Sequence, residues 1–507
     1  MPQNSLTFSL LKKLWDEFCS SRVFAIMIFV LDSIADGYNN SCFKRILIKL
    51  GDVSAYTKDS VFCKGLSVII SFFVNLFVKI AGFVMKIANG GIIEKLYQKY
   101  VSDSLLFGYE NLFALLCAVI FLIPHNFWNN IYGLLISFVL FAFYIFSLAR
   151  KEKKLLSCDV INIPLSLVFF VFSILLAVIT SNAVGDSIRL LFFFATSFIL
   201  AVAVSGRIRN ESMLESFMRC AYFTLIAMSL FAIVQRVIGV EADASLTDLT
   251  LNKNMPGRVF GTMDNPNNLA EYLTVFMPFG FAYAVTKKNV REKALLLCGM
   301  ILPLVAILLT YSRSGWIALA CAVIVYIALY NYRLFPIFVT GGIFALPFIP
   351  QSIYDRILTI GNLKDSSSSY RMDIWEGCLE MLKKYWFTGV GLGPGAFAEV
   401  FPEYAVGETT VVMHSHMQFM EMMVEGGILL FAAYIILVFS MIKKAVIASA
   451  YAKSDEMKHY CVACAASVAG ITLIGLFEYC WFYPRVMFAF FISVGLCLAI
   501  SKLSTVK

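Results

Sequence analysis

Runs of about twenty apolar residues, separated by short polar connectors, recur along most of the chain, and each is long enough to cross roughly 30 Å of hydrocarbon as a helix. The pattern predicts about twelve spans, near residues 106–123, 129–148, 160–180, 188–205, 216–238, 267–285, 294–311, 315–331, 334–350, 414–441, 458–478 and 485–503. Between the ninth and tenth spans it breaks. From Gln351 to Met413 roughly sixty residues are polar in balance, far longer than an ordinary connector. Inside that loop Tyr370 to Leu382 reads as an amphipathic helix with Ile374, Cys378 and Leu382 on one face. The loop closes on Met413-His414-Ser415-His416, where the next apolar run begins.

The first 104 residues follow another pattern and form a separate, basic region ahead of the polytopic domain of residues 105–507. Ser67, Ser71, Asn75, Lys79, Gly82, Lys86 and Asn89 recur at steps of three and four, with Val68, Phe72, Leu76, Ile80 and Phe83 around the rest of the helix. Such a helix suits the membrane surface; its length also permits a span, with Lys79 then buried at a cost of about 3 kcal/mol. Lys12, Lys13, Lys44, Arg45 and Lys49 add a basic surface that suits anionic lipid or simply solvent.

Composition agrees with the pattern. Of 507 residues 60% are hydrophobic and 15% charged, with a mean hydropathy of +0.80, whereas a soluble chain carries about 25% charge. The class is all-α and polytopic. Basic connectors at Arg150 to Lys154, Arg207 to Arg209, Lys287 to Lys293, Arg333 and Lys443-Lys444 alternate with basic-poor ones at Pro124 to Asn130, Thr180 to Asp186, Tyr311 to Ser314 and Tyr479 to Pro484. By the positive-inside rule both termini are expected in the cytoplasm and the loop of residues 351–413 outside. Arg189, Arg236 and Arg485 run against that trend, as interfacial anchors or as ligands for an anionic headgroup.

Candidate chemistry gathers on the outer side. Gly389-Val390-Gly391-Leu392-Gly393-Pro394-Gly395 departs from the dinucleotide fingerprint, since Pro394 takes the third glycine position; turns or close backbone approach to a substrate account for it. The thirteen cysteines read as apolar packing, the Cys461/Cys464 pair included, so no metal or disulfide is expected from them. In Gly257 to Asn267 the Asn265-Pro266-Asn267 triplet is sound helix-start chemistry, which leaves Arg258 unexplained. Arg313, in the tight Tyr311 to Ser314 turn, is an anchor beside Trp316 or a grip on phosphate, to which a planar guanidinium bonds bidentately. Arg371 has Glu376 and Trp375 as local partners. If His414 and His416 were helical they would point in nearly opposite directions, so that one alone serves a given site.

The order GTMDNPNNLAEYL, LTYSRSGW, YRMDIWEGCLEML with FTGVGLGPGAF, then HSHMQFMEMMVEGGI resembles the O-antigen ligase and O-antigen polymerase superfamily over about residues 215–440. The resemblance implies a type C glycosyltransferase fold with one large extracytoplasmic loop. It implies an inverting, metal-independent enzyme without cofactor that moves a glycan from undecaprenyl diphosphate to an acceptor hydroxyl. Catalytic residues implied are Arg313 and Arg371 on the diphosphate and His416 as base, the last placed by its spacing from Glu425 and Gly427. Met417 departs from the small polar or amide residue usual after that histidine. Arg258 and His414 are further substrate-binding candidates. Expected partners are the polyprenyl-diphosphate-linked glycan, an acceptor glycan or lipid and membrane lipids, with no nucleic acid. The competing class is a polysaccharide transporter or lipid-linked glycan flippase. Against it stand the absence of a visible repeat between halves and the few acids within spans, Glu271, Glu421 and Glu425, all near outer helix ends.

Overall fold

The computed structural model describes residues 13, 16, 17, 19–41, 61–88, 91, 95, 99, 109–151, 163–240, 256–360, 366–407 and 409–505, and every regular element among them is helical. Of the basic surface expected near the N-terminus, Lys12, Lys44, Arg45 and Lys49 lie outside the described residues. The chain divides into two units, Met1–Cys63 with Ile327–Ile349, and Lys64–Tyr326 with Pro350–Lys507.

In chain order the helices are α1 (Arg22–Asn40), α2 (Val61–Ala88), α3 (Tyr109–Leu122), α4 (Asn130–Lys151), α5 (Leu165–Ile179), α6 (Val184–Arg207), α7 (Glu211–Ile238), α8 (Pro266–Val285) and α9 (Val290–Gly299). They continue with α10 (Ile301–Leu309), α11 (Arg313–Asn331), α12 (Phe335–Ala345), α13 (Gln351–Leu358), α14 (Ser366–Tyr385), α15 (Gly393–Val400), α16 (Gln418–Ala450), α17 (Asp455–Ile474) and α18 (Pro484–Thr505). In the smaller unit α12 packs on α1, and the Asp32 carboxylate accepts from Tyr332 Oη at 2.7 Å and from Arg333 Nη2 at 3.3 Å.

Seven stretches among the described residues are long and apolar enough to cross a membrane: Val184–Arg207, Glu211–Ile238, Val290–Leu309, Arg313–Phe344, Gln418–Ala450, Asp455–Ile474 and Pro484–Ser504. The expected runs at 315–331 and 334–350 share the fourth of these, and those at 106–123, 129–148 and 160–180 form shorter apolar helices. The run at 267–285 is α8. Apart from Asn267, Phe281 and Val285 it is buried throughout, because it is walled by α7, α17 and α18. Asn265 caps α8 by accepting from the Asn267 backbone N–H at 2.8 Å, and Pro266 takes the first turn, as the triplet predicts. In α2, Val68, Phe72, Ile80 and Phe83 are exposed, whereas Ala81 is buried.

Two devices position the site. Beneath the 478–483 turn the fully buried Trp481 packs its ring against Phe170, Phe194, Tyr434, Phe490 and Phe491, with centroids 5.1–5.9 Å away. That aromatic hub joins α5, α6, α16 and α18 and fixes the height of the turn. The second device is a break in α16 at Gly426 and Gly427, whose dihedral angles are not helical. The freed backbone is taken up by the glycine run and the residues just before it: Val390 N donates to Val424 O at 2.8 Å, Gly391 N to Glu425 O at 3.0 Å, and Ile428 N to Trp386 O at 2.9 Å. A Cβ on Gly389 would lie 2.4 Å from Glu425 O, and one on Gly427, at φ +62°, would lie 2.1 Å from Phe387 O. The 351–413 segment forms a small core of Ile374, Cys378, Met381, Val390, Phe397, Phe401 and Val412, closed by Val424 of α16. Ile374 and Cys378 share the buried face predicted for α14, and Met381 completes it while Leu382 is only partly buried.

Candidate active site

The two histidines precede α16 rather than belonging to it. Met417 is the N-cap residue and makes no side-chain cap, so neither histidine fills that role. Ser415 anchors the approach: its N–H donates to Glu421 Oε2 at 2.6 Å, and its carbonyl accepts from Trp375 Nε1 at 2.9 Å. Gln418 N donates to Gly475 O and Glu478 O at 2.8 and 3.0 Å, which ties the start of α16 to the end of α17. Between these fixed points His416 takes φ +54°, a left-handed conformation that costs a non-glycine residue about 1–3 kcal/mol.

The result differs from the helical expectation. The imidazoles are not opposed; their centroids are 4.1 Å apart, and His414 Nδ1 accepts the His416 backbone N–H at 3.1 Å. His414 also packs on Phe482 and Tyr479, with centroids at 4.4 and 5.7 Å. Desolvation, then the charges of His416 and Arg371, hold His414 well below the ordinary histidine range. His416 is held down to about 4, first by desolvation; Glu478 pulls it upward and Arg371 pushes it further down. Its neutral form, the one that can accept a proton, therefore prevails near pH 7.

The arginines arrive from four segments. Arg371, on α14, bonds neither Glu376 nor Trp375 in the manner expected; its Nη2 meets Glu478 Oε1 at 2.6 Å. Asn267 Nδ2 donates to the same oxygen at 2.9 Å, and Asn267 Oδ1 accepts from Arg258 Nη2 at 2.6 Å. The helix-start account of Asn265-Pro266-Asn267 is thus incomplete, because the Asn267 side chain is part of this chain of contacts. Arg258 is buried and also donates from Nε to Thr310 O at 2.8 Å. Arg313 begins α11 and its Nη1 donates to Thr359 O at 2.9 Å, while Trp316 Nε1 goes elsewhere, to Ile307 O. Arg356, on α13, is buried with Nε 3.4 Å from Tyr311 O. Burial pushes Arg258 down to about 9; the like charges of Arg356, Arg313 and Arg371 add to this and Glu478 opposes it.

The five residues singled out from the sequence, Arg258, Arg313, Arg371, His414 and His416, therefore lie near one another in the larger unit. Glu478, Arg356 and the bonding role of Asn267 were missed. For Glu478 a signal existed: it is an acid at the very end of an apolar run. The acids inside helices brace the surroundings, since Glu425 Oε1 accepts from Gly393 N at 2.8 Å and from Tyr479 Oη at 3.1 Å. Arg485, expected at an interface, is instead a buried staple that donates to the carbonyls of Ile123 and Thr262 and lies over the Trp128 ring, 4.6 Å from its centroid.

Such a site offers concentrated positive charge beside a neutral imidazole, an arrangement that stabilises an anionic leaving group while a proton is removed nearby. No curated protein matches the chain. Arg258 and Glu478 fall outside the one matched stretch, which holds Arg313, Arg356, Arg371 and both histidines. Residues 298–435 match the family model described as O-antigen ligase, which supports the resemblance of this part of the chain to the O-antigen ligase superfamily.

Proposed function

We propose that this membrane protein is a glycosyltransferase, ligase or polymerase of a surface polysaccharide, that uses a polyprenyl-diphosphate-linked donor. The observation that carries the reading is the convergence of Arg258, Arg313 and Arg371 with His416. The acceptor hydroxyl oxygen attacks C1 of the donor sugar, and the C1–oxygen bond to the diphosphate breaks with its electron pair going to the phosphate oxygen. Arg313 and Arg371, with Arg258 behind them, stabilise that oxygen, and His416 takes the acceptor's proton. Displacement in line inverts C1, and the arginines supply the positive charge the leaving group requires. His414 supports His416 from beneath.

The finer placement belongs to the same reading: twelve spans, both termini cytoplasmic, and the 351–413 segment with the site on the outer face of the cytoplasmic membrane. The basic alternation of the connectors supports it. Within residues 1–104, the proposal assigns α2 to the membrane surface.

Single alanine substitutions of Arg313, Arg371 and His416 test the function. Each variant is expected at normal abundance with transfer reduced roughly 10²-fold or more, the scale of losing one oxyanion donor. Mass spectrometry of the lipid-linked glycans then shows unused donor accumulating. Wild-type product from all three ends the proposal. Single repeats on lipid in the null strain identify a polymerase, whereas full-length chains stranded on lipid identify a ligase.

A further inference from the structure

Glu478 belongs to none of the motifs read from the sequence, yet its carboxylate joins two of the clustered arginines. Oε1 receives both Arg371 and Asn267, and Asn267 passes the connection to Arg258. One acid thus links guanidiniums from α14 and from the loop before α8. Its backbone is fixed as firmly: its N–H donates to Ile474 O at 3.0 Å, its carbonyl accepts from Gln418 N, and the buried Tyr479, Cys480 and Trp481 follow directly. The carboxylate therefore has a defined place relative to both arginines, set by the aromatic hub beneath it.

Charge gives that place a meaning. Arg258 feels three like charges, Arg356, Arg313 and Arg371, and one opposite charge, Glu478. Around Arg258 positive charge thus exceeds negative, and Glu478 is the acid that offsets it. A sugar-linked lipid diphosphate brings two ionised phosphate oxygens; the lipid diphosphate that leaves after transfer gains a third ionisable oxygen. An excess of positive charge favours the more highly charged leaving group over the donor, which is the difference that accelerates a reaction. Without the carboxylate the excess would be larger, and the leaving group would be held more tightly than release requires.

We propose that Glu478 is the internal counter-ion of the diphosphate pocket, a positioning residue that sets the spacing of Arg371 and Arg258 and, by its charge, allows the lipid diphosphate to leave. The inference rests on the glycosyltransferase reading above. Two substitutions separate its parts. Glu478→Gln keeps an oxygen for Arg371 and Asn267 but removes the charge; Glu478→Ala removes both.

The experiment uses the full chain purified in lipid nanodiscs, with inorganic diphosphate as competitive probe and steady-state transfer as readout. E478Q is expected to bind inorganic diphosphate roughly tenfold more tightly than wild type, as one uncompensated charge near the protein surface allows. Its donor KM and kcat fall together, because the product leaves more slowly. E478A is expected to raise donor KM roughly tenfold, since Arg371 loses its partner. Opposite movements of KM are not what a merely structural side chain produces. If E478Q binds the probe no more tightly than wild type, or raises KM as E478A does, the counter-ion role is wrong. Should E478A fail to accumulate, the E478Q probe comparison decides alone. If inorganic diphosphate does not inhibit wild type and Arg371→Ala transfers normally, the glycosyltransferase reading itself has failed, and the role of Glu478 falls with it.

Discussion

At the scale of single residues the decisive feature is an imidazole kept neutral. Desolvation and the Arg371 charge hold His416 down to about 4, below the ordinary 6.5. Without bound substrate the proton-accepting form thus prevails across about pH 5–8. The profile of kcat/KM, which reports the free enzyme, is expected to stay level through pH 6.5 and to fall only as pH approaches about 4. Bound diphosphate adds negative charge and raises the imidazole pKa, so the acid limb of kcat should lie higher than that of kcat/KM. An acid limb near 6.5 in kcat/KM contradicts the assignment. The depressed value has a stability consequence of the same sign: between 6.5 and about 4 the unfolded chain binds a proton that the native chain does not, so stability falls as pH drops through that window. The resemblance singled out His416 through its spacing from Glu425 and Gly427, and the proposed role as base builds on that. Its left-handed backbone was not legible in the sequence, because Glu421 and Trp375 impose it from distant or helical positions through Ser415.

At the scale of elements the glycine run and the broken α16 act as one unit. Spacing alone identified the run as turns, and the positive φ at Gly389, Gly391 and Gly393 agrees. What spacing does not reveal is the partner, Gly426-Gly427, since backbone docked on backbone leaves no side-chain periodicity to read. Gly427→Ala places a Cβ 2.1 Å from Phe387 O at a φ that alanine rarely adopts. A loss of about 2–4 kcal/mol is expected from strain and the displaced backbone hydrogen bonds together. A melting temperature in detergent lowered by several degrees, with transfer lost through displacement of α14, is the outcome to look for. Gly185→Ala, where no atom lies within 4 Å of the new methyl, is the control and should be close to neutral. Equal melting temperatures would mean that the docking contributes little. Helix α14 shows the opposite case, in which periodicity alone placed Ile374 and Cys378 on the buried face.

At the scale of the whole molecule, hydropathy located the helices of the long apolar runs but not α1, α13 or α15, and the number that cross the membrane depends on how each is covered. Helix α8 illustrates this: its flank of small and aromatic residues is enclosed by α7, α17 and α18, so its exposure to lipid cannot be read from apolarity. The orientation proposed from basic connectors predicts that a cysteine at the exposed Val411 reacts with a membrane-impermeant maleimide on intact cells, while one at the exposed Lys453 reacts only after permeabilisation. The reverse result overturns the placement of the site. The contacts of Arg485 and Glu478 also set a schedule for biogenesis. Arg485, in the last helix, clasps the Thr262 carbonyl beside Arg258, and Glu478 joins Arg258 to Arg371. During N-to-C synthesis the arginines and histidines therefore emerge long before the residues that arrange them. A nascent chain is expected to insert in silence: ribosome-stalled forms ending before Glu478 should not retain lipid diphosphate, and those extended past α18 should. On the proposed reading, a lipid diphosphate is retained only once Glu478 and Arg485 are in place.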